Sequence, residues 1–180
     1  MKAATRITGF LITSLFGSLL TAAEIRYQMS GDYHTVAAGE DSNGWQAGGG
    51  GEGGLPGKQD TARINWGSNQ VTLSKEAPEV GSVQIGVDES GNLIVEKGGS
   101  LTTAGSLVVG CSNHGNADVQ AKLTVNKGGK VLVGDYLMLG AEAATGQGSL
   151  GGSIQVIGGE IEVKGHLWVA AALGTTATID

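Results

Sequence analysis

One cysteine in 180 residues, Cys111, rules out an internal disulfide, so packing and backbone hydrogen bonds must hold the fold. Aromatic residues make up only 4% of the chain, which excludes an ordinary globular core of large rings. Basic residues are scarce as well: 11 Lys and Arg stand against 17 Asp and Glu. An acidic chain has no electrostatic reason to bind nucleic acid or an anionic membrane surface, and neither is expected as a partner. What the chain has in quantity is glycine, 33 residues, together with short aliphatic alternations.

The one long apolar run lies at the start. Lys2 and Arg6 precede Ile7 to Leu20, and the small residues Thr21 and Ala23 come just before Glu24. That is the layout of a secretory signal peptide, too short and wrongly flanked for a membrane span. Residues 1–23 are expected to be removed by a cut after Ala23, leaving nine basic residues, 17 acidic ones and a net charge of −8. The mature segment is expected outside the cell or on its surface, with no insertion into a membrane.

One stretch is written three times, as GNLIVEKGGSLTTAGSLVVG at 91–110, AKLTVNKGGKVLVGDYLMLG at 121–140 and GSIQVIGGEIEVKGHLWVA at 152–170. Each copy holds three apolar pairs spaced by two. They are Leu93/Val95, Leu101/Thr103 and Leu107/Val109, then Leu123/Val125, Val131/Val133 and Leu137/Leu139, then Ile154/Val156, Ile161/Val163 and Leu167/Val169. A spacing of two puts both members of a pair on one face of a strand, and no single copy can bury that face alone. If each copy makes one turn of a coil, equivalent residues stack about 4.8 Å apart into aliphatic rows. The fold class predicted is all-β, a single-stranded parallel β-helix (β-solenoid) of about four coils, occupying 61–180 behind an N-terminal cap and glycine-rich loop at 24–60. An antiparallel sandwich is the structural alternative, disfavoured by the 30-residue register.

The glycines fit the same geometry. Gly98-Gly99, Gly128-Gly129 and Gly158-Gly159 mark one corner, where a positive φ is expected. Gly105, Gly134 and Gly165 lie at or near the next, and Gly86, Gly110 and Gly140 close the third strand. The third copy is one residue shorter before its Gly-Gly, which predicts a tighter corner. The variable stretches 87–92, 111–122 and 141–153 are expected to project from one shared edge. Cys111 aligns with Val87, Ala141 and Ala171, which reads as a small buried position, with intermolecular pairing as the alternative. At the front, Ala62 to Trp66, Val71 to Leu73 and Val83 to Gly86 read as a degenerate first coil, and Trp45 and Trp66 as cover for its open end. At the other end Ile179 aligns with Leu93, Leu123 and Ile154, so the last residues start another coil. The expectation is a piece of a longer protein, or a core edge that must pair with something.

A tryptophan-bearing, glycine-rich lead-in (Trp45, Gly48 to Gly54), a Pro-x-x-x-Asp step (Pro56, Asp60), Ile64 with a Val-Thr-Leu strand, and repeats of L-x-V-x-x-G-G-x-L follow one another. Over about residues 40–180 this resembles secreted bacterial β-solenoid surface proteins, of the autotransporter-associated-strand type or with a PEP-CTERM sorting tail. The resemblance implies an exported, non-enzymatic structural or adhesive component meeting a polysaccharide or a surface protein. No sorting tail, anchor or outer-membrane barrel segment is visible in the sequence.

Catalysis would need carboxylates clustered with an Arg or Lys on one outward face. Asp88, Glu89, Asp118 and Asp135 fall in loops or turns, and only Glu160 and Glu162 are close neighbours, over Lys130/Leu132 and Ser100/Thr102. Glu160 above Lys130 reads as a surface ion pair. His34, His114 and His166 are scattered and read as surface histidines; GGGGEGG lacks the strand, helix and lysine of a phosphate loop. No catalytic residue, metal site or cofactor is therefore expected. One outward column stands out: Ser82/Gln84, Ser106/Val108, Tyr136/Met138 and His166/Trp168 grow more apolar along the chain. Tyr136, Met138, His166 and Trp168 are the candidate contact for a glycan or protein, unless a loop or a following segment covers them. The alternative function is thus a carbohydrate-binding or lyase-like polysaccharide-degrading β-helix.

Overall fold

The computed structural model describes residues 22–38, 42–47, 54–66, 69–112, 119–142, 151–169 and 176–179, with backbone alone at 111, 112, 141, 142 and 176–179. The expected signal peptide up to Thr21, the glycine run from 48 to 53, and His114 and Asp118 lie outside the described residues.

The described residues contain no helix. The lead-in carries β1 (Glu24–Gln28), β2 (Gly31–Asp32), β3 (Gly44–Ala47) and β4 (Thr61–Ile64), followed by β5 (Asn69–Leu73) and β6 (Ser82–Val87). The first copy forms β7 (Gly91–Val95), β8 (Ser100–Thr103) and β9 (Leu107–Ser112). The second forms β10 (Gln120–Asn126), β11 (Lys130–Val133) and β12 (Leu137–Glu142). The third forms β13 (Gly151–Ile157), β14 (Glu160–Val163) and β15 (Leu167–Val169), and β16 (Thr176–Ile179) follows.

These strands make three sheets with the orders β15-β12-β9-β6-β4-β1-β3, β16-β13-β10-β7-β5-β2 and β14-β11-β8. From β7 onward the chain visits the six-, three- and seven-stranded sheets in turn, then returns to the first. Only β3 runs antiparallel to its neighbour, β1; all other strand pairs are parallel. Parallel neighbours need a long crossover, and each 30-residue step through the other two sheets supplies it.

The predicted rows are present residue for residue. Leu93 pairs with Leu123, Leu123 with Ile154 and Ile154 with Ile179. Leu101, Val131 and Ile161 form the second row, and Leu107, Leu137 and Leu167 the third. Their buried members join one core cluster that runs from Ile25 to Ile154. Fully burying each such aliphatic side chain contributes about 1.5–3 kcal/mol before conformational entropy is counted.

Two glycine positions show why the corners take this residue. Gly98 has φ +86 and Gly128 φ +79, left-handed values that a β-branched residue resists. At the adjacent Gly99, an added Cβ would lie 2.2 Å from the Leu73 carbonyl oxygen of the level below, so the corner closes only without a side chain. The amides of Gly99 and Gly129 complete the turns on the carbonyls of Glu96 and Asn126, at 2.9 and 2.8 Å.

Four details differ from the sequence expectations. β4 and β6 are neighbours in the same sheet, so Ala62 to Ile64 belongs to the level below Val83 to Ile85. The first level is instead built by β5, the bridges Glu76–Ser100 and Val80–Thr103, and β6. Trp66 is 48% exposed and lies outside the buried core, next to Asn65, whose side-chain amide donates to the Val87 carbonyl at 2.8 Å. The cover comes from Trp45 with Tyr27 and Tyr33, all fully buried. Their rings meet edge to face at 5.1 and 4.9 Å, and the Trp45 indole N–H donates to the Tyr33 carbonyl. Finally, β6, β9 and β12 continue past Gly86, Gly110 and Gly140, which brings Val87, Cys111 and Ala141 into register as aligned.

Candidate functional site

The outward face of the seven-stranded sheet carries two straight lanes. Arg26, Arg63, Gln84, Val108, Met138 and Trp168 follow one another through direct strand pairing, with Gln46 beside Arg26. The parallel lane holds Glu24, Thr61 and Ser82, then Ser106, Tyr136 and His166 one residue before the paired Leu107, Leu137 and Leu167.

At the β15 end lie the four residues singled out in the sequence. Met138 and Trp168 are paired across β12 and β15. Tyr136 and His166 lead into those strands, where the Leu107 amide donates to the Tyr136 carbonyl and the Leu137 amide to that of His166. The Tyr136 and Trp168 rings stack with centroids 5.5 Å apart and planes 16° from parallel. This offset stack is worth about 0.5–1.5 kcal/mol and covers one face of each ring. Trp168 is 48% exposed and His166 is exposed, whereas Tyr136 and Met138 are half-buried. The four therefore form one aromatic and thioether surface with an imidazole at its margin, suited to stacking on the apolar face of a sugar or on a protein side chain.

At the β3 end the same face is ionic. Glu24 binds Arg26 at 2.7 Å and Arg63 at 3.0 Å, and the Arg63 Nε donates to Gln84 at 2.8 Å. Arg63 is mostly buried, so this fork is held in place, while the more exposed Arg26 pair adds little. Sequence reasoning stopped at Ser82/Gln84; continuing the two-residue alternation back through Thr61/Arg63 and Glu24/Arg26 would have found it.

On the three-stranded sheet, Glu160 stands over Lys130 at 3.8 Å with both side chains more than half exposed, as the rows require. Ser100, Thr102, Lys130, Leu132, Glu160 and Glu162 line a shallow depression there. His34 is not a plain surface histidine. It is half-buried, with Nδ1 3.3 Å from Asp32 and Nε2 3.0 Å from the Glu76 carbonyl, and it ties the lead-in to the first level. Among the described residues no three His, Cys, Asp or Glu side chains are grouped to hold a metal ion.

Burial raises the phenol pKa of Tyr27 and, more strongly, that of Tyr33. At Tyr27 a hydrogen bond with Thr35 works against that rise, and the Asp32 charge adds to it.

The chain matches no protein-family model, no curated protein and no solved structure.

Proposed function

We propose that the chain is a secreted parallel β-solenoid of about four coils that works as a non-enzymatic structural or adhesive element at a cell surface. The observation that carries this reading is the shared register of the three sheets, in which each step of about 30 residues lays Leu, Val or Ile over the Leu, Val or Ile of the copy before. Such a stack is stiff along its axis. The exposed Glu160–Lys130 pair supports a solvated face in place of an acid/base pair. Export is tested by expressing the full chain in a bacterium and fractionating the cells. Mature protein starting at Glu24 outside the cytoplasm is expected; uncleaved protein retained inside overturns the reading.

The Tyr136–Trp168 stack favours a second reading, a glycan-binding face built from Tyr136, Met138, His166 and Trp168. Glycan-array binding that Trp168→Ala abolishes, with folding intact, would establish it. Release of unsaturated sugar products would replace the non-enzymatic proposal with the lyase-like one.

A further inference from the structure

The turn that carries the chain from the six-stranded to the three-stranded sheet is written EKGG in the first copy and NKGG in the second. Its lysines, Lys97 and Lys127, stack through the glycines. A Cβ on Gly128 would lie 3.2 Å from Cγ of Lys97, and one on Gly158 would lie 3.5 Å from Cβ of Lys127. Lys75 enters the same corner one level earlier, where its carbonyl accepts the Ser100 amide at 3.3 Å. All three lysines are exposed. We propose that this row of lysines is a binding site for a linear acidic polysaccharide, with carboxylates along the sugar chain set against ammonium groups along the stack.

The row keeps its charge available. The stems of Lys97 and Lys127 lie against the corner of the next copy, in the space that Gly128 and Gly158 leave, so each stem is supported while its ammonium stays in solvent. Among the described residues the lysine ion pairs are Lys58 with Glu79 and Lys130 with Glu160, so Lys75, Lys97 and Lys127 have no carboxylate partner there. Neighbouring levels are about 4.8 Å apart. That step is comparable with the length of one sugar unit, so a polyuronate running parallel to the axis keeps pace with the row.

Shape and charge select among polyanions. The row occupies a corner, so it meets its partner along a narrow ridge, which suits a thin polymer and not a flat anionic membrane. Duplex nucleic acid would press the dense charge of two strands against a chain with 17 acidic and 11 basic residues. Glu76 and Glu160 flank the row at its two ends, and Glu96 lies beside it half-buried. The cationic stretch is therefore short and centred on Lys97, Lys127 and Lys130. Ser100, Thr102 and Lys130 also line the shallow depression on the three-stranded sheet, which offers sugar rings hydroxyl partners next to the row. This site is separate from the Tyr136–Trp168 face; it rests on the adhesive reading and names the chemistry of the ligand.

The experiment is binding of the purified chain to polygalacturonate at low and at physiological salt, with fully methyl-esterified polygalacturonate and duplex DNA as comparison probes. Binding to the acidic polymer alone is expected, weakening as salt rises. The double variant Lys97→Gln with Lys127→Gln should lower the affinity about tenfold or more. A control pair, Lys58→Gln with Lys164→Gln, removes the same charge elsewhere and should leave binding unchanged, as should Trp168→Ala; circular dichroism checks each fold. No binding at low salt, equal binding of the esterified polymer, tighter binding of DNA, or an equal loss in the control pair would each overturn the proposal. Loss in Trp168→Ala with the Lys97 and Lys127 pair inert would overturn this site and leave the glycan-binding face standing. Retention of the full chain inside the cell would instead sink the surface reading, whatever the purified protein binds.

Discussion

Tyr27 and Tyr33 share one aromatic cluster and differ in what their hydroxyls do. The Tyr27 hydroxyl donates to the Asp32 carbonyl at 2.6 Å, whereas that of Tyr33 is buried with no partner among the described residues. An unpaired buried hydroxyl costs about 1–3 kcal/mol, so Tyr33→Phe is expected to stabilise the protein by about 1 kcal/mol in urea unfolding, while Tyr27→Phe destabilises it by about as much. The pH dependence follows with a definite sign. Burial raises the Tyr33 phenol pKa in the folded state, so the unfolded chain releases that proton first as pH rises. The neutral phenol's contribution is complete below the unfolded value of about 10 and is lost above it. Stability should thus drop at alkaline pH in the wild type, and the drop should be smaller in Tyr33→Phe. An equal drop in both would show that other groups set the alkaline limit.

The strand is the scale at which a row of like residues becomes energy, and position in the row decides how much. Leu123 is fully buried between Leu93 and Ile154, whereas Leu167 ends its row half exposed. Leu123→Ala should cost about 2–5 kcal/mol of unfolding free energy and Leu167→Ala under about 1 kcal/mol, measured as shifts in the denaturation midpoint at constant slope. Comparable losses at both sites would mean that the end of the row is covered in solution. These rows were legible because two regularities coincide, the period of two within a strand and the 30-residue step between copies, and together they leave no freedom of register. The lead-in was less legible for the same reason: β1 to β4 carry no L-x-V-x-x-G-G frame, so nothing in the sequence places Ala62 below Val83 or sets β3 antiparallel. Composition argued against a core of large rings, correctly for the repeats. It could not tell that the few aromatics gather at one end, where Trp45, Tyr27 and Tyr33 replace the missing next level. For the candidate site, pairing of Met138 with Trp168 could be read from the alternation. The Tyr136–Trp168 stack joins residues diagonal to each other, which depends on rotamers that no periodicity encodes.

At the scale of the molecule, strand pairing joins each copy to the copies before and after it, so stability should be distributed along the stack mainly as a sum of neighbouring contacts. Strands β7 to β12 have a paired neighbour on both sides or a sheet continuing past them, apart from β8, whose far side is met only by the bridges at Glu76 and Val80. Among the described residues β14 and β15 are paired on one side alone, and their apolar side chains are partly or half exposed. Opening the last level therefore breaks one interface, while opening the middle breaks two. Native-state hydrogen exchange should show amide opening energies that rise from β15 and β14 through β12 and β11 to a plateau at β9 and β10. The closed end should not fray in the same way, because opening β1 and β3 exposes three buried rings at once. A gradient at both ends would mean that the aromatic cluster does not act as a cap. Uniform exchange along the whole axis would mean that the levels open as one cooperative unit, and the nearest-neighbour account of this stack would fail.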